Sequence, residues 1–233
     1  EGAAFFDGKT VEYIVATDPG GVYDTNGRLV AEFMQKYLPG STFVVRNMPG
    51  AGGIIGANFI YASSPDGLTM GTFNTGMIYA QLVQNDALKF NLTDIGWIGK
   101  LASDPRVIVV TTESGIESFE QLAASADRVK FATCGVGCAS MVESTLLVST
   151  FGLPVDIISG YNGNEGQLAM MRGEVQGTLG SRSEFEQFVA EGKGRFIAQI
   201  GGKQTDVPQL ADFAVSDPEA RAVALVTAQG QLG

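Results

Sequence analysis

Three glycine-rich segments of the chain combine residue types that can bind an anion without a basic side chain. They read TDPGGVYD (17–24), NMPGAGG (47–53) and CGVGCAS (134–140). Each follows an apolar run typical of a strand and leads into a stretch with helical periodicity. Free N–H groups at a helix start, with the positive end of the helix dipole behind them, form an anion site. Packing of a helix on a strand is the better explanation for one such segment, but three in one chain favour binding of carboxylate groups.

The composition excludes several classes of function. The 233 residues include no histidine, which removes the commonest general base, the usual serine triad and most zinc sites. The 15 Lys and Arg against 25 Asp and Glu give a net charge of −10. No basic stripe is present, which argues against nucleic acid and anionic membrane surfaces as partners. No apolar run reaches the roughly 18 residues that a membrane-spanning helix needs. We therefore expect no metal, no cofactor and no nucleic-acid partner.

The two cysteines, Cys134 and Cys138, lie in the third glycine-rich segment. Two thiolates alone cannot complete a tetrahedral metal site. The redox motif has two intervening residues rather than three, and no histidine is available to activate a thiolate. A disulfide, two free buried thiols and a reactive thiol remain as alternatives at this point.

Two series of strands and helices must position these segments. In the first series, strands are predicted at 11–16, 42–47 and 68–73, and helices at 24–38 and 53–63. The order is βαβαβ, which implies a parallel sheet with crossover helices.

The second series begins near Pro105. Its predicted strands are 106–111, 130–135, 155–160, 175–180 and 195–200, and its predicted helices are 118–126, 140–152, 165–174 and 183–192. Ser118 is expected to cap the first of these helices. Two α/β series with little between them indicate two lobes, 1–103 and 104–215, with a cleft. Ligands of such folds sit at the carboxyl ends of the strands.

Several long segments also resemble a known family. They include VEYIVATDPGGVYDTNGRLVAEFMQKYLPG, FVVRNMPGAGGIIGANFIYASSPDGLTMGTFN, SGIESFEQLAA, FATCGVGCAS and GYNGNEGQLAMMRGEVQGTLGS, in this order. Together they resemble the periplasmic substrate-binding receptors of tripartite tricarboxylate transporters, the Bug family, over nearly the whole chain. The pairing of PGG-x-x-D, N-x-PGAGG and a PDG turn carries most of the resemblance.

The resemblance implies a fold, a function and partners. The fold is an α/β, two-lobed periplasmic-binding-protein fold (Venus flytrap, type II). The expected function is capture of a small mono- or dicarboxylate between the lobes, without enzymatic activity, and delivery to the membrane subunits of the transporter. We expect a periplasmic monomer whose signal peptide has been removed or lies outside this sequence. Tyr23 and Tyr161 also make an aromatic acid a candidate ligand.

The resemblance further implies a set of ligand-binding residues. Two loops are expected to hold one carboxylate, with further residues completing the pocket. The first loop supplies Gly20, Gly21, Tyr23 and Asp24; the opposite loop supplies Gly135, Gly137, Cys138 and Ser140; Gly52, Asn74, Thr75, Tyr161, Asn162, Gly163 and Ser181 complete the set. In the oxidising periplasm that the family implies, a disulfide between Cys134 and Cys138 becomes the favoured alternative.

Five residues have competing structural explanations. Asp24 is expected to cap the helix that follows it, a role compatible with ligand contact. Gly52 and Gly53 contact the ligand or pack the second helix on the sheet, with neither role favoured. Arg182 is interpreted as a solvated arginine at a helix start rather than a partner of the ligand. Trp97 is expected in the core.

The sequence departs from the family at its end and beside the expected site. Family members continue well beyond residue 233, so we interpret 216–233 as the start of a return segment toward lobe 1. The chain is then either a fragment or a shortened natural form. Cys138 is also not the residue expected beside the carboxylate.

Two alternatives to a transport receptor stay open. An α/β enzyme, such as a cysteine-dependent hydrolase or a transferase that binds phosphate, lacks support because no G-x-S-x-G elbow, no phosphate-binding G-x-x-x-x-G-K-[ST] loop and no histidine is present. A sensor domain would share the receptor fold, and the sequence does not separate the two.

Overall fold

The computed structural model describes residues 2–101, 103–203 and 205–232. The expectations about the two ends of the chain, at Glu1 and Gly233, lie outside these residues. Contacts between residues divide the chain into two compact units, Glu1–Gly99 and Lys100–Gly233. No helix among the described residues is both long and apolar enough to cross a bilayer.

The first unit is a three-stranded α/β unit. Its elements are α1 (Gly2–Phe5), β1 (Thr10–Val15), α2 (Val22–Tyr37), β2 (Thr42–Asn47), α3 (Ile54–Ala62), β3 (Thr69–Thr72) and α4 (Gly76–Leu82). The strand order is β2-β1-β3, and both pairs are parallel. The predicted parallel βαβαβ arrangement is therefore confirmed.

Helices cover both faces of this first sheet. Tyr13 and Val15 of β1 pack with Ala31 of α2 on one face. On the other side, Ile54 of α3 packs with Met77 of α4. Burial from both sides explains why β1 is almost continuously apolar, as central parallel strands are.

The second unit contains a five-stranded mixed sheet. Its elements are β4 (Arg106–Thr111), α5 (Phe119–Ala123), β5 (Val129–Thr133), α6 (Ala139–Phe151), β6 (Val155–Ser159), α7 (Glu165–Met171), β7 (Gly177–Ser181), α8 (Arg182–Ala190), β8 (Gly194–Ile200) and α9 (Asp217–Leu232). The strand order is β6-β5-β7-β4-β8, in which β5 is parallel to β6 and β7. Strand β4 is antiparallel to both of its neighbours and is buried along its whole length.

Strand β4 runs in the direction opposite to the other four strands of the second sheet. Because β4 is antiparallel to β7 and β8, its first residue, Arg106, pairs in register with the last residues of those strands, Ser181 and Ile200. The start of β4 therefore lies at the sheet edge where β5, β6 and β7 end.

The last helix packs within the second unit. Val223 and Val226 of α9 join the apolar cluster that contains Ile108 of β4 and Leu147 of α6. The interpretation of 216–233 as the start of a return segment toward lobe 1 stays a prediction.

Element boundaries differ from the sequence prediction in a few places. Helix α2 begins at Val22, two residues earlier than predicted, and α5 is limited to Phe119–Ala123. The predicted cap of α5 is confirmed, since Ser118 Oγ accepts a hydrogen bond from Gln121 N at 3.3 Å. Helix α4 was not predicted, because its seven residues are too short for a periodic signal.

Candidate functional site

The loops that follow β1, β2 and β3 meet at one edge of the first sheet, because the carboxyl ends of parallel strands lie together. We call residues 16–21, 48–53 and 73–75 the first-unit edge. Two predicted site residues meet there, since Tyr23 Oη lies 3.3 Å from Thr75 Oγ1 and accepts a bond from Thr75 N at 3.4 Å. Asn74, its buried neighbour, accepts a bond from Gly76 N at 2.7 Å.

The buried carboxylate of Asp24 organises this edge. Its Oδ2 accepts hydrogen bonds from Gly20 N at 3.0 Å and Arg28 Nε at 3.1 Å, and its Oδ1 accepts one from Asn47 Nδ2 at 2.9 Å. Burial raises the pKa of the Asp24 carboxyl, but the hydrogen bonds from Arg28, Gly20 and Asn47 outweigh it, so the pKa lies below its ordinary value. Asp24 is therefore a fixed anion that ties β1, β2 and α2 together.

The interpretation of Asp24 as the helix cap was wrong. The N-cap of α2 is Gly21, which has no side chain to supply the bond, and Asp24 is the third helical residue. Its carboxylate reaches back to the amide of Gly20 instead. The first-turn amides of α2 have no partner within the helix, and they are the donors that this edge offers.

The PGAGG segment (49–53) brings helix α3 close to the end of β1. Gly53 has a φ of 98°, and a Cβ there would lie 3.1 Å from the carbonyl oxygen of Ala16 and 3.4 Å from the side chain of Asn74. At Gly56 in α3, a Cβ would lie 2.8 Å from the Ala16 side chain. Close packing therefore accounts for these two glycines, and a contact between Gly52 and a ligand stays a prediction.

The corresponding loop of the second unit is cross-linked. Cys134 and Cys138 form a disulfide, with their Cα atoms 6.1 Å apart. Ser140 Oγ lies 3.0 Å from Cys134 Sγ and accepts a bond from Cys134 N at 3.4 Å. Within the loop, Cys138 N donates to Gly135 O at 3.2 Å, and Gly137 has a φ of 86°. No cysteine of the described chain is a free thiol, so a cysteine-dependent hydrolase has no nucleophile here.

The loop after β6 lies next to this disulfide loop. Gly160 N and Tyr161 N both donate to Thr133 O, at 3.0 and 3.1 Å. A Cβ on Gly135 would lie 3.9 Å from Asn162 Oδ1, so the two loops are neighbours. Asn162 N donates to Glu165 Oε2 at 2.9 Å, and Gly163 takes the left-handed conformation with a φ of 56°. The structure thus brings the second-lobe members of the predicted set together in one unit.

A buried ion pair completes what we call the second-unit edge, residues 134–138 and 160–164 with Ser181 and Arg106. Arg106 donates to Glu143 Oε2 through Nε at 2.8 Å and lies 2.6 Å from the same oxygen through Nη2. Its Nη1 donates to Ser181 Oγ at 2.9 Å. The Glu143 side chain is 0% exposed. Sequence reasoning missed both charged residues, although an arginine opening a buried strand and a glutamate inside an apolar helix were visible signals.

A second carboxylate lies close to this pair. Burial, opposed by the charge of Arg106 and reinforced by that of Asp104, raises the pKa of the Glu184 carboxyl to about 7. Asp104 itself accepts bonds from Ser183 N at 3.1 Å and Ser183 Oγ at 2.5 Å. The second-unit edge therefore places the carboxylate of Asp104 and the readily protonated carboxyl of Glu184 near one buried arginine.

Two individual interpretations are corrected by the structure. Arg182 does begin helix α8, but its side chain is only 21% exposed; it donates to Gln199 Oε1 at 2.7 Å and its guanidinium lies 5.1 Å from the Phe196 ring centre. Trp97 is 63% exposed rather than buried in the core. Its indole N–H donates to Leu92 O at 3.0 Å, which holds the ring at the surface.

Metal ligands are not clustered in the described part of the chain. No group of three or more His, Cys, Asp or Glu side chains is arranged there to hold a metal ion. What both edges offer is backbone amides and hydroxyl groups beside carboxylates that are already paired or hydrogen-bonded.

Comparison with solved structures identifies the fold. The chain is similar to the periplasmic binding protein BugD, with a TM-score of 0.77 and 22% identity over 97% of this chain and 83% of that one. It is also similar to MatC from Rhodopseudomonas palustris, solved with bound malate, with a TM-score of 0.76 and 21% identity over 95% of this chain and 84% of that one. The predicted two-lobed α/β periplasmic-binding-protein fold is confirmed.

Comparison of sequences identifies the family. A UPF0065 protein of Agrobacterium vitis is 32% identical over 158 residues, which are 66% of this chain and 45% of that protein. The chain spans less than half the length of the first curated relatives it matches. Residues 27–226 match the model of the tripartite tricarboxylate transporter family receptor, a family of receptors rather than enzymes. The chain therefore belongs to the tripartite tricarboxylate transporter receptor family, as the resemblance of its glycine-rich segments indicated.

Proposed function

We propose that this chain is an extracytoplasmic receptor that captures a small mono- or dicarboxylate between its two units. In this proposal the units close over the acid, and the closed form presents it to the membrane subunits of a tripartite tricarboxylate transporter. The receptor acts in the periplasm as a monomer. The bound malate of MatC supports an organic acid as the class of ligand.

One observation carries the proposal. In each unit, a glycine-bearing loop at the carboxyl edge of the sheet leads directly into a long helix, the 16-residue α2 and the 13-residue α6. First-turn amides of such helices bind carboxylates well. The nearest arginines, Arg28 and Arg106, are already engaged with Asp24 and Glu143. Backbone and hydroxyl donors are therefore the groups assigned to the ligand.

The proposed contacts are drawn from the sequence-based set. In the first unit they are the amides from Gly21 onward, with Tyr23 and Thr75, whose hydroxyls lie 3.3 Å apart. The amide of Gly20 is left out of the proposed contacts, because it already donates to Asp24 Oδ2 at 3.0 Å. In the second unit they are the disulfide loop, Ser140 and Ser181.

A thermal-shift panel tests the proposal. The unaltered chain is heated with malate, succinate, adipate, benzoate and glutamate, and with ATP as a non-carboxylate comparison. An acid present at 100 times its dissociation constant adds about 2.7 kcal/mol of stability, which raises Tm by roughly 5–10 °C for a chain of this size. If ATP raises Tm and none of the acids does, the proposed class of ligand is wrong.

A pair of serine variants on one helix locates the site. Ser140 lies in the first turn of α6 beside the disulfide, and Ser149 lies on the exposed side of the same helix. We expect Ser140→Ala to weaken the binding of the acid about tenfold, because a hydrogen bond to a charged group contributes about 1.5 kcal/mol or more. Ser149→Ala should bind as the unaltered chain does. Equal affinities for both variants, measured by calorimetric titration, would place the ligand elsewhere.

The delivery step needs a separate measurement. Uptake of the labelled acid is compared in cells that carry the transporter membrane subunits with and without this receptor. We expect uptake only when both are present, and uptake that does not depend on the receptor would remove transport from the proposal.

A further inference from the structure

We propose that the buried ion pair of Arg106 and Glu143 positions the hydroxyl of Ser181 as a hydrogen-bond donor to the carboxylate of the ligand. This inference rests on the proposed function and adds two positioning residues to it. Neither residue is expected to touch the ligand. Both act through the end of β7 and the start of α6.

Strand pairing places Ser181 between Arg106 on one side and the disulfide loop on the other. Arg106 is in register with Ser181, which is the last residue of β7. On the other side of β7, Thr178 pairs with Ala132 of β5. Extending this parallel register by three residues sets Ser181 level with Gly135, which directly follows Cys134 in the disulfide loop. Ser181 is thus beside the loop that we assign to the carboxylate.

The hydrogen-bonding capacity of arginine fixes the direction of the bond. A guanidinium has only donors, so the 2.9 Å contact between Arg106 Nη1 and Ser181 Oγ uses a lone pair of the hydroxyl. The hydrogen of the Ser181 hydroxyl then points to another acceptor. Within the described residues no acceptor takes it, and Ser181 is half-buried at the edge of the sheet. A carboxylate oxygen, which only accepts, is the complementary group.

The paired glutamate determines what the ligand encounters. Glu143 is fully buried and lies 2.6 Å from the Arg106 guanidinium, so the positive charge is balanced inside the unit. Asp104 adds negative charge nearby, and Glu184, whose pKa is raised to about 7 by burial, adds more only as the pH rises past that value. A carboxylate at this edge therefore meets a hydroxyl donor rather than an open cation. This arrangement favours groups that accept hydrogen bonds, and it does not favour anions in general.

The same ion pair also holds the disulfide loop. Glu143 is the fifth residue of α6, and the first residues of that helix follow directly on Cys138. The contact with Arg106 joins α6 to β4, and the bond to Ser181 joins β4 to β7. Loss of the pair would displace two of the proposed ligand segments together.

A double-mutant cycle on ligand affinity tests the inference. The chains compared are the unaltered one, Ser181→Ala, Arg106→Lys and the double variant, each titrated calorimetrically with malate or, if malate gives no heat, with the acid of the panel that raises Tm most. We expect each single substitution to weaken binding about tenfold. In the Ser181→Ala background, Arg106→Lys should cause no further loss, because its effect passes through the missing hydroxyl.

A selectivity measurement separates positioning from loose folding. Each chain is also titrated with the monoamide of the same acid, in which an acceptor-only oxygen is replaced by an NH₂ donor. We expect the preference for the acid over the amide to fall about tenfold in Ser181→Ala and Arg106→Lys and to be kept in Ser181→Thr. A general loosening of the unit would weaken both ligands equally and would leave the preference unchanged, which would overturn the inference.

The control is a second arginine–carboxylate pair of the same unit. Arg128 and Asp156 lie 2.5 Å apart, but their side chains are 60% and 44% exposed. Arg128→Lys should leave affinity and selectivity unchanged. Additive losses in the cycle, or an unchanged affinity in Ser181→Ala, would refute the positioning role while the proposed function stands. If no acid binds the unaltered chain, the proposed function and this inference both fail.

Discussion

The two sheet edges hold their loops by different means. At the first-unit edge, one carboxylate, Asp24, collects hydrogen bonds from three segments, and its partner Arg28 is 52% exposed. At the second-unit edge, a disulfide closes the loop and a fully buried glutamate pairs with Arg106. An ion pair with one exposed partner contributes less than a pair buried on both sides, and a cross-link constrains the loop covalently. The second edge is therefore the more rigid of the two.

The largest expected effect is the loss of the buried pair. Glu143→Gln leaves the Arg106 guanidinium buried without its counter-ion, and we expect the free energy of unfolding to fall by about 3–5 kcal/mol. Urea denaturation followed by circular dichroism measures it. The exposed pair is the control, since Asp156→Asn should cost less than about 1 kcal/mol. If the two substitutions lower the free energy of unfolding equally, the conclusion that the second edge is the more rigid is wrong.

A pH series on Glu184 gives the second-largest effect. The folded chain keeps the proton of Glu184 up to a pKa of about 7, whereas the unfolded chain releases it near 4.5. The part of the stability that depends on Glu184 is therefore greatest below pH 4.5 and falls as the pH rises to about 7, by up to about 3 kcal/mol. We expect Glu184→Gln to remove this fall, as measured by denaturation between pH 4 and 8. The control Glu186→Gln, on the same helix, should show the same fall in stability as the unaltered chain. If the fall persists in Glu184→Gln, another group is responsible for it.

The disulfide is expected to contribute less than the ion pair. It closes a loop of only five residues, so the chain-entropy estimate gives about 2 kcal/mol. We expect the double variant Cys134→Ser, Cys138→Ser to melt about 4–8 °C lower than the unaltered chain. A reducing agent should lower Tm of the unaltered chain by a similar amount and should not affect the double variant. A reductant-sensitive double variant would contradict this assignment.

The smallest effect is expected at the first-unit edge. Asp24→Asn keeps one acceptor oxygen but loses the charge, and we expect a cost of about 1 kcal/mol at neutral pH. Because the pKa of Asp24 is lowered in the folded chain, its contribution is present above the ordinary value of 3.8 and is lost as the pH falls below it. The difference between the two chains should therefore shrink below about pH 4. Asp18→Asn, in the same loop, is the control and should show no such dependence.

The two pH responses sharpen the comparison between the edges. Asp24 makes the first edge weaker in acid, while Glu184 makes the second edge weaker as the pH rises toward 7. The opposite signs follow from their surroundings, because hydrogen-bond donors outweigh burial at Asp24, whereas burial dominates at Glu184 and Asp104 adds to it. The contributions of the two edges to stability can thus be told apart by their pH dependence, although both edges carry a glycine-rich loop before a helix.

Part of the fold could be read from local sequence. The βαβαβ order of the first unit and the helix starts after the glycine-rich loops follow from hydrophobic period and turn chemistry, which act over a few residues. The cap at Ser118 was predicted for the same reason. Asp24 was misplaced because a cap and a third helical residue differ by only a shift of the helix start, from 24 to 22.

The sequence by itself determined the strand–helix order, the glycine-rich segments before α2, α3 and α6, and the family to which the chain belongs. Only the tertiary structure decided the direction of β4 and the meeting of Arg106 with Glu143 and Ser181, which lie 37 and 75 residues away along the chain. Local patterns specify which residues form an element, but strand direction and buried pairing are set by which faces pack together. That choice depends on the whole unit, and no short stretch of sequence contains it.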